Sequence, residues 1–164
     1  MLRVVDENVL VVANDLTKET LGLATSFPDA SEDCRISCAE YLHDIVKNGR
    51  IILDSDSEYF DKYRSHASLS GQPGVGDVFL RMVYERGYVT SWATRITIRN
   101  GDDYLLPDSF KSSPFDNDDY LWVAGAYNST SPSEIANACD SDYDECVDDL
   151  NAIGVRVNQL CAGQ

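Results

Sequence analysis

Short apolar runs punctuate the chain, and acids end them. "LRVV" stops at Asp6, "RIIL" stops at Asp54 and "IANAC" stops at Asp140, with Asp142 two places on. Such short runs suit strands buried on both faces. Between them the apolar spacing changes to three and four. "SEDCRISCAEYLHDIVKNG" places Cys34, Cys38, Tyr41, Leu42 and Ile45 on one helical face, with Ser31 as N-cap and Gly49 as stop. "ENVLVVAND", "SEYFDKYRSH", "VFLRMVYERG", "DDYLWVAGAYN" and "DYDECVDDLNAIG" also read as helices. "TKETLGLATSFPD" fits a helix or a loop, and Asp77 is placed to cap the helix that follows "LSGQPGVGD". "YVTSWATRITI" and "VRVNQLC" read as strands, with Ile96 and Ile98 on one face of the former. "RNGDDYLLPDS" carries an Asn-Gly turn signal and suits a hairpin or a long loop.

Strands alternating with helices predict one three-layer α/β/α domain over 1–164, with a mainly parallel central sheet. No internal repeat, low-complexity segment or linker interrupts it. No apolar run approaches the ~18 residues of a membrane span. "MLRVVDENVL" lacks the charged and apolar regions of a secretion signal, so the expected location is cytoplasmic.

Charge narrows the chemistry. Asp and Glu number 28 against 13 Lys and Arg, a net charge of −15. That balance opposes nucleic-acid binding over the whole surface and favours cations. Nucleic-acid contact must then use metal ions, a partner, or local basic residues such as Lys62, Arg64, Arg81, Arg86, Arg95 and Arg99. The five cysteines, an odd number, argue against a disulfide framework and for core thiols.

In a parallel sheet the carboxyl ends of the strands share one rim. Asp6, Asp54, Asp140 and Asp142 fall there, Glu58 lies one helical turn beyond the second run, and Asp116, Asp118 and Asp119 open the "DDYLWVAGA" helix. Any one of them also suits a helix cap. Together they repel: two carboxylates ~4 Å apart cost about 4 kcal/mol at an effective dielectric of ~20. Mg²⁺ or Mn²⁺, hard cations with oxygen ligands, would remove that cost.

Other motifs fail on inspection. "GQPGVGDV" spaces Gly71 and Gly76 as a phosphate loop does, but Asp77 and Val78 stand where Lys and Ser or Thr are needed. "DSDYDECVDDLN" starts like a calcium loop, yet Glu145 takes the glycine position and Asn151 the final glutamate position. The cysteines, with His43 or His66, match no common zinc spacing.

The acids in this order resemble the PIN-domain family of metal-dependent nucleases. "VVDENVL" resembles that family's opening strand with its Asp-x-Asn, and "ILDSDSEYFDKY" its second strand and acid-bearing helix. "FDNDDYLWVAGA" and "NACDSDYDECVDDLNAIGVRV" resemble its later segments, and the likeness runs from residue 2 to about 161. It looks closest to bacterial stand-alone PIN proteins. One departure is Glu7, where a small hydroxyl residue is common; it either binds metal or points outward.

The resemblance implies an endoribonuclease that hydrolyses phosphodiester bonds of single-stranded RNA, or DNA, through water activated by Mg²⁺ or Mn²⁺. It implies Asp6, Glu58, Asp119 and Asp140 as catalytic metal ligands, Asp116 and Asp142 as further ligands, and Asn8 as a positioning neighbour. It also implies a toxin or phage-defence role, an antitoxin or other protein partner, and a homodimer. The alternatives are a catalytically silent PIN-like interaction domain and a phosphatase of small phosphates; the first strand lacks the Asp-x-Asp of one phosphatase class, since Asn8 follows Asp6.

Overall fold

A computed structural model describes residues 1–161; the last three residues of the expected domain lie outside the described residues. The first apolar run becomes β1 (Leu2–Val5), followed by α1 (Glu7–Thr20) and α2 (Glu32–Asn48). The second becomes β2 (Ile51–Asp54), followed by α3 (Glu58–His66) and α4 (Val75–Arg86). Then come β3 (Ala93–Ile96), a hairpin of β4 (Arg99–Asn100) and β5 (Asp103–Tyr104), and the one-turn α5 (Asp108–Lys111). A 3-10 turn (Asn117–Asp119) leads into α6 (Tyr120–Tyr127), β6 (Ser133–Asn137), α7 (Asp142–Glu145), α8 (Val147–Ala152) and β7 (Val157–Gln159).

Five strands form one parallel sheet in the order β3-β2-β1-β6-β7, flanked by helices as a three-layer α/β/α fold requires. Parallel pairing demands crossover connections, which the helices supply. β1 is central, wholly buried at Val4 and Val5, and pairs with β6 in register Val4 to Ile135. After β1 the chain builds outward to β3, then returns to lay β6 on β1's other side. The reversal between β1 and β6 is the topological switch point, where such sheets open a crevice beyond their carboxyl ends. No helix among the described residues is long and apolar enough to cross a membrane.

Two tyrosines of α3 belong to the core. Tyr59 and Tyr63 are fully buried, Tyr63 stacks on Trp122 at 5.4 Å, and its hydroxyl donates to the Val5 carbonyl at 2.6 Å. That last bond ties α3 to the end of β1. Ser31 and Gly49 bound α2 as expected.

Three expectations change. The helix after "GQPG" begins at Val75, not beyond Asp77, and Gly74 is its N-cap. Asp77 still caps the helix, but from inside its first turn, accepting from Gly74 N at 2.8 Å and from Ser68 N at 2.6 Å, while Asn14 Oδ1 of α1 accepts from Gly76 N at 2.9 Å. The glycines permit this approach: a Cβ on Gly74 would stand 2.1 Å from Asn14 Oδ1. The phosphate-loop look-alike is therefore a helix-packing device. The last helix is split into α7 and α8. Finally, Cys34 and Cys161 form a disulfide across 127 residues, which the odd cysteine count did not suggest.

Asp54 closes β2 but does not join the other acids. Its buried carboxylate accepts the backbone N–H groups of Asp56, Glu58 and Tyr59 at 2.8–2.9 Å and so starts α3. Asp54→Ala leaves three donors without their acceptor and is expected to cost about 3 kcal/mol. Urea unfolding checks this; a loss under about 1 kcal/mol would mean that the donors find other partners.

Candidate metal centre

Asp6 is the first residue past β1 and the N-cap of α1. Both tasks turn its carboxylate over the end of the sheet, where it is completely buried. Oδ1 accepts the Asn8 backbone N–H at 2.8 Å, and Oδ2 accepts the Tyr143 hydroxyl at 2.9 Å. Each oxygen keeps a further lone pair. Asn8 contributes through its backbone, so it holds Asp6 without its amide.

The helix that Asp6 caps carries Glu7 inward. Glu7 is buried, and one carboxylate oxygen from each of Asp6, Glu7 and Asp119 falls within a 4.8 Å group. A second group of the same size joins Asp116, Asp119 and Asp142, with Asp119 shared. Asp119 ends the 3-10 turn, and Asp116 caps that turn by accepting from Asp118 N at 3.0 Å. Asp140, three residues past β6, accepts from Asp142 N at 2.9 Å and acts electrostatically on Asp119. The sheet rim thus gathers Asp6, Asp116, Asp119, Asp140 and Asp142 from the expected residues, and adds Glu7.

Glu58 is not gathered with them. Its carboxylate pairs with Arg99 and accepts the Tyr104 hydroxyl at 3.0 Å, so the β4–β5 hairpin claims it. Among the described residues it belongs to neither carboxylate group. The pair is partly exposed and worth about 1 kcal/mol or less. Glu58→Gln is therefore expected to leave Mn²⁺ affinity within about twofold and to lower stability by no more than that. A titration showing a tenfold loss of Mn²⁺ affinity would return Glu58 to the site.

The electrostatics describe an unneutralised cluster. Burial, then the charge of Glu7, raises Asp6 well above the usual carboxylate range; the Asn8 N–H opposes this. Burial, Glu7 and Asp140 push Asp119 up to about 7, against the pull of Lys62. Burial also raises Asp140, although the Asp142 N–H opposes it. Lys62 is the nearby cation, with Nζ 3.3 Å from Glu7 Oε1. Burial lowers its pKa, but Glu7, Asp119 and Asp118 raise it by more. The other Glu7 oxygen, Oε2, is buried and has no hydrogen-bond partner. A buried carboxylate oxygen left unpaired is costly and calls for a cation or donor.

Sequence reasoning left Glu7 open and did not mark Tyr143 or Lys62 for this site. The signal for Glu7 was its position at the first turn of a helix capped by Asp6. Lys62 lies one turn after Glu58 on α3, and only the packing of α3 against α1 brings it to Glu7. The cavity of about 740 Å³ beside Cys139, Asp140, Asp144 and Gln159 shares only Asp140 with the cluster. No family model matches the chain, and neither the curated proteins nor the solved structures give a match.

Proposed function

We propose that the chain is a metal-dependent nuclease that hydrolyses phosphodiester bonds of single-stranded RNA, with DNA as a second polymer. The observation that carries this reading is the group of Asp6, Glu7 and Asp119 at the switch point of the sheet, with Glu7 Oε2 buried and unpaired. The all-oxygen donor set fits Mg²⁺ or Mn²⁺ and not a soft metal. Asp6, Glu7 and Asp119 would hold the ion, with Asp116, Asp140 and Asp142 beside it for a second. When bound, such an ion polarises phosphoryl oxygens and lowers the pKa of water.

The chain's own groups supply the rest. Tyr143 and the Asn8 N–H fix Asp6 in one orientation. Asp119, raised to about 7 while the cluster has no cation, would give up its proton as an ion binds. Lys62 offers Nζ to the scissile phosphate once Glu7 is neutralised otherwise. Along the same rim, Arg95 of β3 lies over the exposed Tyr88 ring at 4.2 Å, with Tyr84 close by in the same small cavity. Aromatic faces backed by arginine stack unpaired bases. The resemblance to PIN-domain nucleases agrees with this reading and adds the proposal of a toxin or defence role with a protein partner.

The test is incubation of labelled single-stranded RNA and DNA with the chain and Mn²⁺ or Mg²⁺, with and without chelator. The expected result is internal cleavage that chelator stops. A folded chain that binds Mn²⁺ and cuts neither polymer would replace this reading with the silent interaction domain.

A further inference from the structure

Four of the five cysteines converge outside the carboxylate cluster. Cys34 and Cys38 stand one turn apart on α2, Cys139 follows β6 and Cys161 follows β7. Cys34 Sγ lies 3.7 Å from Cys139 Sγ, and Cys38 Sγ lies 3.9 Å from Cys161 Sγ. The sulfurs of Cys34, Cys139 and Cys161 all fall within 4.8 Å of one another, and Cys34 and Cys161 are bonded. A tetrahedral zinc ion with Zn–S of about 2.3 Å has sulfur–sulfur edges of about 3.8 Å. Both non-bonded pairs stand near that length, and Cys38, outside the 4.8 Å group of the other three, would move in toward them as zinc binds.

Two further features fit a metal better than a plain core. Cys139 adopts φ 60, a left-handed conformation that favours glycine or asparagine, so a side chain is held there against local preference. Arg35, next to Cys34 and 4 % exposed, pairs with Glu19 at 2.7 Å and donates to the Phe27 carbonyl, keeps an Nε without a partner, and its charge also acts on Cys139. A zinc tetrathiolate carries two negative charges, and the Arg35 guanidinium, shared with Glu19, offsets part of them.

We propose that the reduced chain binds one zinc ion through Cys34, Cys38, Cys139 and Cys161, tying α2 to the ends of β6 and β7. A small dithiol supplies two electrons and two protons to the Cys34–Cys161 bond, giving two thiols and a cyclic disulfide. Zn²⁺ then displaces the four thiol protons. Soft thiolates select zinc and the carboxylates select Mg²⁺ or Mn²⁺, so the two sites sort their cations. Asp140 follows Cys139 directly, and the tie would hold that end of the carboxylate rim. Cys146, buried elsewhere, stays a core thiol.

The test is metal analysis of the full chain purified with excess dithiol and zinc, then desalted without oxygen. The expected result is one zinc per chain. Cobalt in its place is expected to give thiolate-to-metal charge transfer and the visible bands of tetrahedral Co²⁺. Cys139→Ser, at an exposed residue, is expected to weaken zinc retention by at least about a hundredfold, more than loss of an outer-shell partner costs. Cys146→Ser is expected to retain zinc. A folded, reduced chain with five titratable thiols and no zinc overturns the proposal, as does a Cys34–Cys161 bond that survives the dithiol.

Discussion

Asp6→Asn is expected to lower metal-dependent cleavage on the order of a thousandfold, comparable to loss of a key charge-stabilising group elsewhere, while the folded chain becomes no less stable. The substitution keeps the shape of the side chain. Asparagine caps helices as well as aspartate, so the Asn8 N–H keeps an acceptor. What disappears is one negative charge beside Glu7 and Asp119. Because burial and those neighbours favour the neutral form of Asp6, an uncharged amide relieves the cluster when no cation is bound. About 1 kcal/mol of relieved repulsion corresponds to a melting temperature about 3 °C higher for a domain of this size. Activity and stability thus move in opposite directions, as at many built sites. Asp119→Asn should behave alike. Thermal melts in chelator and single-turnover cleavage check both arms; a variant that melts lower and cuts less equally would be merely damaged.

The second large effect is a pH-dependent response to Mn²⁺. Asp119 is held at about 7, and Asp6 and Asp140 are also raised above the ordinary value. Between about 4 and 7 the unfolded chain has released the Asp119 proton and the folded chain still holds it; Asp6 and Asp140 act in the same direction. Stability then falls as pH rises across that window, because the folded state binds more protons. For Asp119 the benefit of protonation is complete below about 4 and gone above about 7. Asp15 and Asp44 are lowered instead, so their contribution fails only as pH drops below the usual carboxylate range. Mn²⁺ competes with the protons and should stabilise most above pH 7. At a hundred times its dissociation constant an ion adds about 2.7 kcal/mol. Melting temperatures from pH 4.5 to 8, in chelator and in Mn²⁺, should diverge with rising pH. Parallel curves would remove the carboxylate cluster as the binding site.

Much of this was legible in the chain. The short apolar runs ending in acids marked β1 and β2, and the change of spacing to three and four marked α2 with both its caps. Asp6 and Asp119 were readable because a strand end and a helix start have known directions in a parallel sheet. Glu7 was ambiguous because a residue at the first turn of a helix faces inward or outward according to how that helix packs. Asp54 and Asp6 looked alike, and only the tight turn into α3 shows that three backbone donors consume the Asp54 carboxylate. Glu58 kept the spacing of a ligand, but the hairpin at 99–104 folds Arg99 and Tyr104 onto it. That contact spans 41 residues to Arg99 and leaves no local trace. The cysteines were opaque for the same reason, since the four come from α2 and the ends of two distant strands.

The most direct test of the central claim is Mn²⁺ titration of the chain at pH 8, followed by calorimetry and by the loss of free Mn²⁺ paramagnetic signal, for wild type and Asp6→Asn. Tight binding of one or two ions in the wild type, weakened in Asp6→Asn by at least about a hundredfold, is the predicted result. No binding by the wild type, or equal binding by both, would contradict it.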